Sequence, residues 1–103
     1  MIRAEFYEKQ GLLTGFKFSG HSGYAEAGED VACAAVSSAV QLTANILGEF
    51  GLQPKITVGD NVIECICEDG GEIPPRLLNV LKQHFEAILD EFPNTIKIII
   101  SEV

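Results

Sequence analysis

Apolar and polar residues alternate along residues 2–7, with Ile2, Ala4 and Phe6 set against Arg3, Glu5 and Tyr7. A period of two predicts a half-buried strand. Glu8-Lys9-Gln10-Gly11 reads as a turn. Residues 12–19 read as a second strand, with Leu12, Thr14, Phe16 and Phe18 on one side, so the two close a hairpin. The alternation then gives way to small residues, Gly20-His21-Ser22-Gly23-Tyr24-Ala25-Glu26-Ala27-Gly28-Glu29, whose glycines let backbone approach a ligand closely.

After Asp30, a favoured N-cap residue, the period becomes helical. Ala35, Ala39, Leu42, Ile46 and Phe50 recur as one stripe over residues 31–50, and Gly51 supplies the stop. Residues 55–58 and 62–68 predict a second hairpin around Gly59-Asp60-Asn61. Asp69-Gly70-Gly71 leads to a second helix opened by Pro74-Pro75, with Leu78, Leu81, Phe85, Ile88 and Phe92 as its apolar stripe. It ends before Pro93-Asn94, and residues 95–102 form a last strand carrying Ile96, Ile98 and Ile100. The order is ββαββαβ. This predicts the α+β class, a mostly antiparallel mixed sheet of about five strands packed against two helices on one face.

Composition narrows the picture. The 103 residues fit one domain spanning 1–103, with no repeat or linker. With 47% apolar and 21% charged residues the chain has a globular balance, and no uninterrupted apolar run approaches the roughly 20 residues of a membrane helix. The alternating, early-acidic N-terminus is unlike a signal peptide, so the expected compartment is the cytoplasm. Three cysteines, an odd number, suit a reducing compartment better than a disulfide framework. The net charge is −8 and only seven residues are Lys or Arg, which argues against direct nucleic-acid binding and for no membrane partner. Acidity fits either plain solubility or attraction for a basic protein.

The candidate chemistry lies in the glycine-rich segment and the helix after it. Cys33 follows His21 by 12 residues and is expected in the first turn of the first helix. Only the thiolate is a good nucleophile, and an ordinary cysteine with pKa ~8.5 is only a few per cent ionised at neutral pH. A helix N-terminus offers an anion ~0.3–1 kcal/mol. A neighbouring imidazolium offers more, up to ~4 kcal/mol at contact with an effective dielectric near 20. Exposed Glu29 and Asp30 would oppose by well under ~1 kcal/mol, so a histidine contact would prevail. Spacing alone does not separate this reading from a cysteine packed in a helix face and a histidine in a loop, since a catalytic pair is defined by geometry.

Gly20-His21-Ser22-Gly23, followed by Gly28-Glu29-Asp30-Val31-Ala32-Cys33-Ala34-Ala35-Val36-Ser37, resembles the signature of the ribosomal-processing cysteine protease family, Prp. That signature is a Gly-His pair after a hairpin, about a dozen loop residues, and Asp-x-x-Cys-Ala-x-x-Ser opening a helix. Length, element order, acidity and the isoleucine-rich last strand agree with it along the whole chain. The resemblance implies a cysteine endopeptidase with Cys33 as nucleophile and His21 as base. Its implied substrate is a ribosomal protein precursor, the large-subunit protein numbered twenty-seven, trimmed of an N-terminal leader after a hydrophobic, aromatic-ending motif. It also implies a homodimer. Ser22-Gly23 departs from the alanine and polar residue of many relatives, at a place that bears on substrate entry.

Asp30 is open to two roles, helix cap or orienter of His21. Ser37, four residues after Cys33, shares its helix face, and either returns its hydroxyl to the backbone or enters the site. Gly20, Ser22, Gly23 and Gly28 are the candidate substrate-loop residues. Cys65 and Cys67 alternate with Ile63 on an apolar strand face and read as packing. With His84 as the one spare histidine there is no zinc spacing, so no metal or cofactor is expected and these three residues receive no role. Two other readings remain: a non-enzymatic acidic adaptor for a basic ribosomal or assembly partner, and a cysteine hydrolase acting on thioesters.

Overall fold

The computed structural model describes residues 2–20, 27–68 and 71–103, with side chains of the first helix described from residue 31 onward. His21, Ser22 and Gly23 lie outside the described residues, as do Asp69 and Gly70 of the expected turn. The elements follow the expected order: β1 (Ile2–Lys9), β2 (Leu12–Ser19), α1 (Ala27–Glu49), β3 (Lys55–Gly59), β4 (Val62–Ile66), α2 (Ile73–Glu91) and β5 (Ile96–Glu102). The five strands form one sheet in the order β3-β4-β2-β1-β5. The β1–β5 pair is parallel, and the other three pairs are antiparallel.

Both helices cover the same face of this sheet. Phe6 of β1 meets Phe85 of α2 with ring centroids 5.8 Å apart, within the favourable range for aromatic pairs. Phe6, Phe16 and Cys65 occupy paired positions across β1, β2 and β4, so they face the helices together. The opposite face is polar: the Tyr7 hydroxyl donates to Glu64 at 2.6 Å, and the Ser101 hydroxyl donates to Glu5. Burial, together with the Glu64 carboxylate, holds the Tyr7 phenol well above its ordinary pKa.

The first hairpin departs from strict alternation. Tyr7 pairs with Gly15, yet the next residue, Glu8, pairs with Leu13, which leaves Thr14 as an extra residue on β2. Such a bulge reverses which side chains face the core beyond it. Leu13 is therefore buried with Phe16 and Phe18, whereas Leu12 is 56% exposed and Thr14 only half-buried. The expected set of Leu12, Thr14, Phe16 and Phe18 is corrected accordingly. Gly15 sits where β2 approaches β4: a Cβ there would lie 2.5 Å from the Cys65 carbonyl oxygen.

Helix α1 differs from expectation in two ways. It starts at Ala27, so Asp30 is inside the first turn and is not the N-cap. Gly28 and Glu29 belong to the helix rather than to the 20–29 loop expected from the sequence. An acidic side chain is also favourable throughout a first helical turn, so residue type alone did not fix the boundary. The buried row is Ala32, Val36, Val40, Thr43 and Leu47; of the expected stripe, Ala35, Ala39 and Ile46 are half-buried, Leu42 is 60% exposed, and Phe50 is exposed past the end of the helix. By length and hydropathy alone, Val31–Glu49 would pass for a membrane span. A count of uninterrupted apolar runs overlooks this because Ser37, Ser38, Gln41, Thr43 and Asn45 break the run. The row packed on the sheet accounts for part of this apolar character, and exposed Val31 and Leu42 contribute to the rest.

Helix α2 follows its pattern except at Phe92, which is half-buried just past the end of the helix. Leu78, Leu81, Phe85 and Ile88 are buried, and the helix opens with the two prolines in its first turn.

Candidate active site

Cys33 is on the rim of the buried α1 row, half-buried rather than sealed. It lines a cleft of about 250 Å³ with Ser37, Val40 and Gln41 of α1, Phe18 and Gly20 at the end of β2, and Gly59, Asn61, Val62 and Ile63 of the second hairpin. Cys33, Ser37 and Gln41 recur every four residues, so one helix face presents a thiol, a hydroxyl and an amide to the same space. Phe18 and Ile63 are paired across β2 and β4 and give the cleft an apolar floor. An open, mostly apolar cavity with a few convergent polar groups is the usual form of a ligand site.

Gly20 fixes where the chain leaves β2. Its φ of 83° is in the left-handed region that glycine enters without a Cβ penalty. Its N–H donates to the Asn61 carbonyl at 3.0 Å. The residue immediately preceding His21 is therefore tied to the second hairpin at the mouth of the Cys33 cleft. Asn61 itself has φ 56°, a conformation that asparagine tolerates better than most side chains.

Among the sequence-predicted site residues, the structure brings Cys33, Ser37 and Gly20 together in one cleft. Asp30 and Gly28 are placed by backbone alone, in the first turn of α1. Phe18, Val40, Gln41, Asn61 and Ile63 were not singled out from the sequence. Val40 and Gln41 are on α1, seven and eight residues after Cys33, and so carried a signal in their helical spacing; Phe18 and Ile63 arrive by strand pairing and Asn61 through the Gly20 hydrogen bond, which no local pattern reveals.

The setting of Cys33 on its helix also differs from expectation. Counted from Ala27, Cys33 is the seventh helical residue rather than part of the first turn. Its N–H lies beyond the four that lack an intrahelical acceptor, so it is not free to bind an oxyanion. The favourable field of a helix N-terminus fades within the first turn. The helix itself therefore offers the Cys33 thiol little activation.

The remaining candidates are elsewhere. Cys65 and Cys67 are buried beneath the helices. A hydrogen bond shared with Cys67, and then burial, push the Cys65 thiol well above its ordinary pKa, the opposite of what a nucleophile needs. His84 is on a second and larger concavity of about 420 Å³ between α1 and α2, lined by Leu42, Ile46, Leu77 and Val80. That groove is apolar and holds no thiol.

Three comparisons bear on this geometry. The model of the family described as cysteine protease Prp matches residues 1–97. A search of curated proteins gives no significant match. Among solved structures, the fold is similar to the ribosomal processing protease Prp from S. aureus in complex with a substrate peptide, with a TM-score of 0.85 at 20% identity, covering 98% of this chain and 100% of that one. The same enzyme with a covalently linked product peptide gives 0.82 at 21% identity, with 98% and 100% covered. SMU.848 from Streptococcus mutans gives 0.78 at 22% identity, with 100% and 96% covered. At these identities the structural likeness speaks for the fold, whereas the family match spans nearly the whole sequence, including the segment that holds Cys33. The chain belongs to the Prp family of cysteine proteases.

Proposed function

We propose that this protein is a cytoplasmic endopeptidase that removes the N-terminal extension of a ribosomal protein precursor. The precursor is the large-subunit protein numbered twenty-seven, cleaved after a hydrophobic, aromatic-ending motif during ribosome maturation. The observation that carries the reading is a half-buried thiol, Cys33, in an open cleft whose floor is Phe18 and Ile63. An apolar floor beside a nucleophile suits a substrate whose residues near the cleaved bond are large and apolar. The S. aureus protein of the same fold binds a substrate peptide.

In the mechanism, His21 takes the Cys33 proton and the thiolate attacks the scissile carbonyl. The amine leaves with a proton from the imidazolium, and water then releases the acyl-enzyme with His21 again as base. Ser37 offers a hydroxyl one helical turn from the sulfur. The Cys33 amide is spent within α1, so oxyanion donors come from outside the helix. No step calls for a metal or cofactor.

Incubation with the precursor and mass analysis of its N-terminus tests the reading. The wild-type protein should release the leader, and Cys33→Ala should lower the rate at least ~10³-fold, the scale of losing a catalytic nucleophile. Binding of the precursor without cleavage would favour the acidic adaptor, and turnover of thioesters alone would favour a small-acyl hydrolase.

The protein also acts as a homodimer in this reading. Exposed Leu42 and Val80 flank the groove between α1 and α2, and apolar patches of this kind mark association surfaces.

A further inference from the structure

The helix-bearing face of the sheet is not covered to its edge. All five residues of β3, an edge strand, are exposed. Val58 is 72% and Ile56 44% exposed. Residues paired directly across an antiparallel ladder point to the same face. Val58 pairs with Ile63, which in turn pairs with Phe18. Phe18, Ile63 and Val58 thus form one unbroken apolar row across β2, β4 and β3. Its inner two members are the floor of the Cys33 cleft, and its outer member stands in solvent. Ile56 pairs with Cys65 and extends the second row in the same direction.

An uncovered apolar edge strand is ordinarily a liability, blunted by charge, bulge or a covering element. Within β3 the one charged residue is Lys55, at its start. We propose that Val58 and Ile56 form a docking shelf for the apolar segment of the peptide substrate on the N-terminal side of the cleaved bond. This deepens the proteolytic reading above and rests on it. Continuity decides the occupant, because the shelf is an extension of the cleft floor. Strands are ~4.8 Å apart and an extended chain advances ~3.3 Å per residue, so Val58 meets a substrate residue about two to four positions from the scissile bond. Ile56, two residues along β3 on the same face, widens the shelf beside Val58.

The test compares two fluorescent peptides on the Cys33→Ala background, where binding is read without turnover. One peptide carries the full apolar leader, and the other retains only the residues flanking the cleaved bond. Val58→Asp should weaken the long peptide about tenfold and leave the short one unchanged. Val58→Thr, which keeps shape and strand preference, should give a smaller loss of the same kind. Equal affinities for the long peptide in wild-type and variant proteins would overturn the shelf. So would a change in sedimentation without a change in peptide binding, which would make β3 a surface for a second copy. Cleavage of both peptides by the protein with Cys33 intact is scored separately. Shelf-dependent binding without cleavage would sink the protease reading and leave the shelf standing.

Discussion

The two helices lie on the same sheet face and use their sequences differently. Helix α2 buries one apolar stripe, Leu78, Leu81, Phe85 and Ile88, and leaves only Val80 well exposed beside the groove. Helix α1 is apolar on more than one side. It buries Ala32, Val36, Val40 and Leu47, presents Cys33, Ser37 and Gln41 to the cleft, and leaves Leu42 exposed beside the groove it shares with α2. A helix with a single task shows its orientation in its pattern. One that must pack, line a cleft and offer a further surface does not, because several faces are apolar at once.

The contrast can be broken by substitution. Phe85→Ala on α2 should cost ~3–5 kcal/mol, since it empties a fully buried ring site against Phe6, as read by denaturant unfolding. An effect under ~1 kcal/mol would mean that α2 is not the structural partner of the pair. On α1, Ser37→Ala should slow peptide cleavage about tenfold, equivalent to ~1.4 kcal/mol of transition-state stabilisation. Its unfolding midpoint should hardly move, because the residue is at a cleft wall; full activity in the variant would remove Ser37 from the site. Leu42→Lys should change stability by no more than ~0.5 kcal/mol, the usual range for exposed positions. Its effect should appear in sedimentation, as a shift from dimer to monomer, and an unchanged profile would separate the α1–α2 groove from self-association.

Much of the fold was legible in the sequence. The alternation of Ile2, Ala4 and Phe6, the prolines opening α2, and the turn around Gly59-Asp60-Asn61 all act locally, and each led to the element observed. What escaped was non-local or unmarked. No residue type signals that Thr14 is the extra residue of a bulge, yet that one residue decides that Leu13 rather than Leu12 joins the core. The start of α1 escaped because Asp30 suits both a cap and a first turn. In the site, Cys33 and Ser37 were visible through helical spacing and the family signature. Phe18, Asn61 and Ile63 were not, because they reach the cleft through strand pairing and through the Gly20–Asn61 hydrogen bond.

Cysteine labelling as a function of pH addresses the account most directly, because Cys65 and Cys67 are buried and a small alkylating reagent reports on half-buried Cys33. In the wild-type protein Cys33 should react fast near pH 6–7, where an ordinary thiol with pKa ~8.5 is almost wholly protonated. His21→Ala should abolish that rate while leaving the unfolding midpoint in place. Slow labelling of the wild-type protein, rising only above pH ~8 and indifferent to His21, would contradict the central claim that an imidazole activates this thiol.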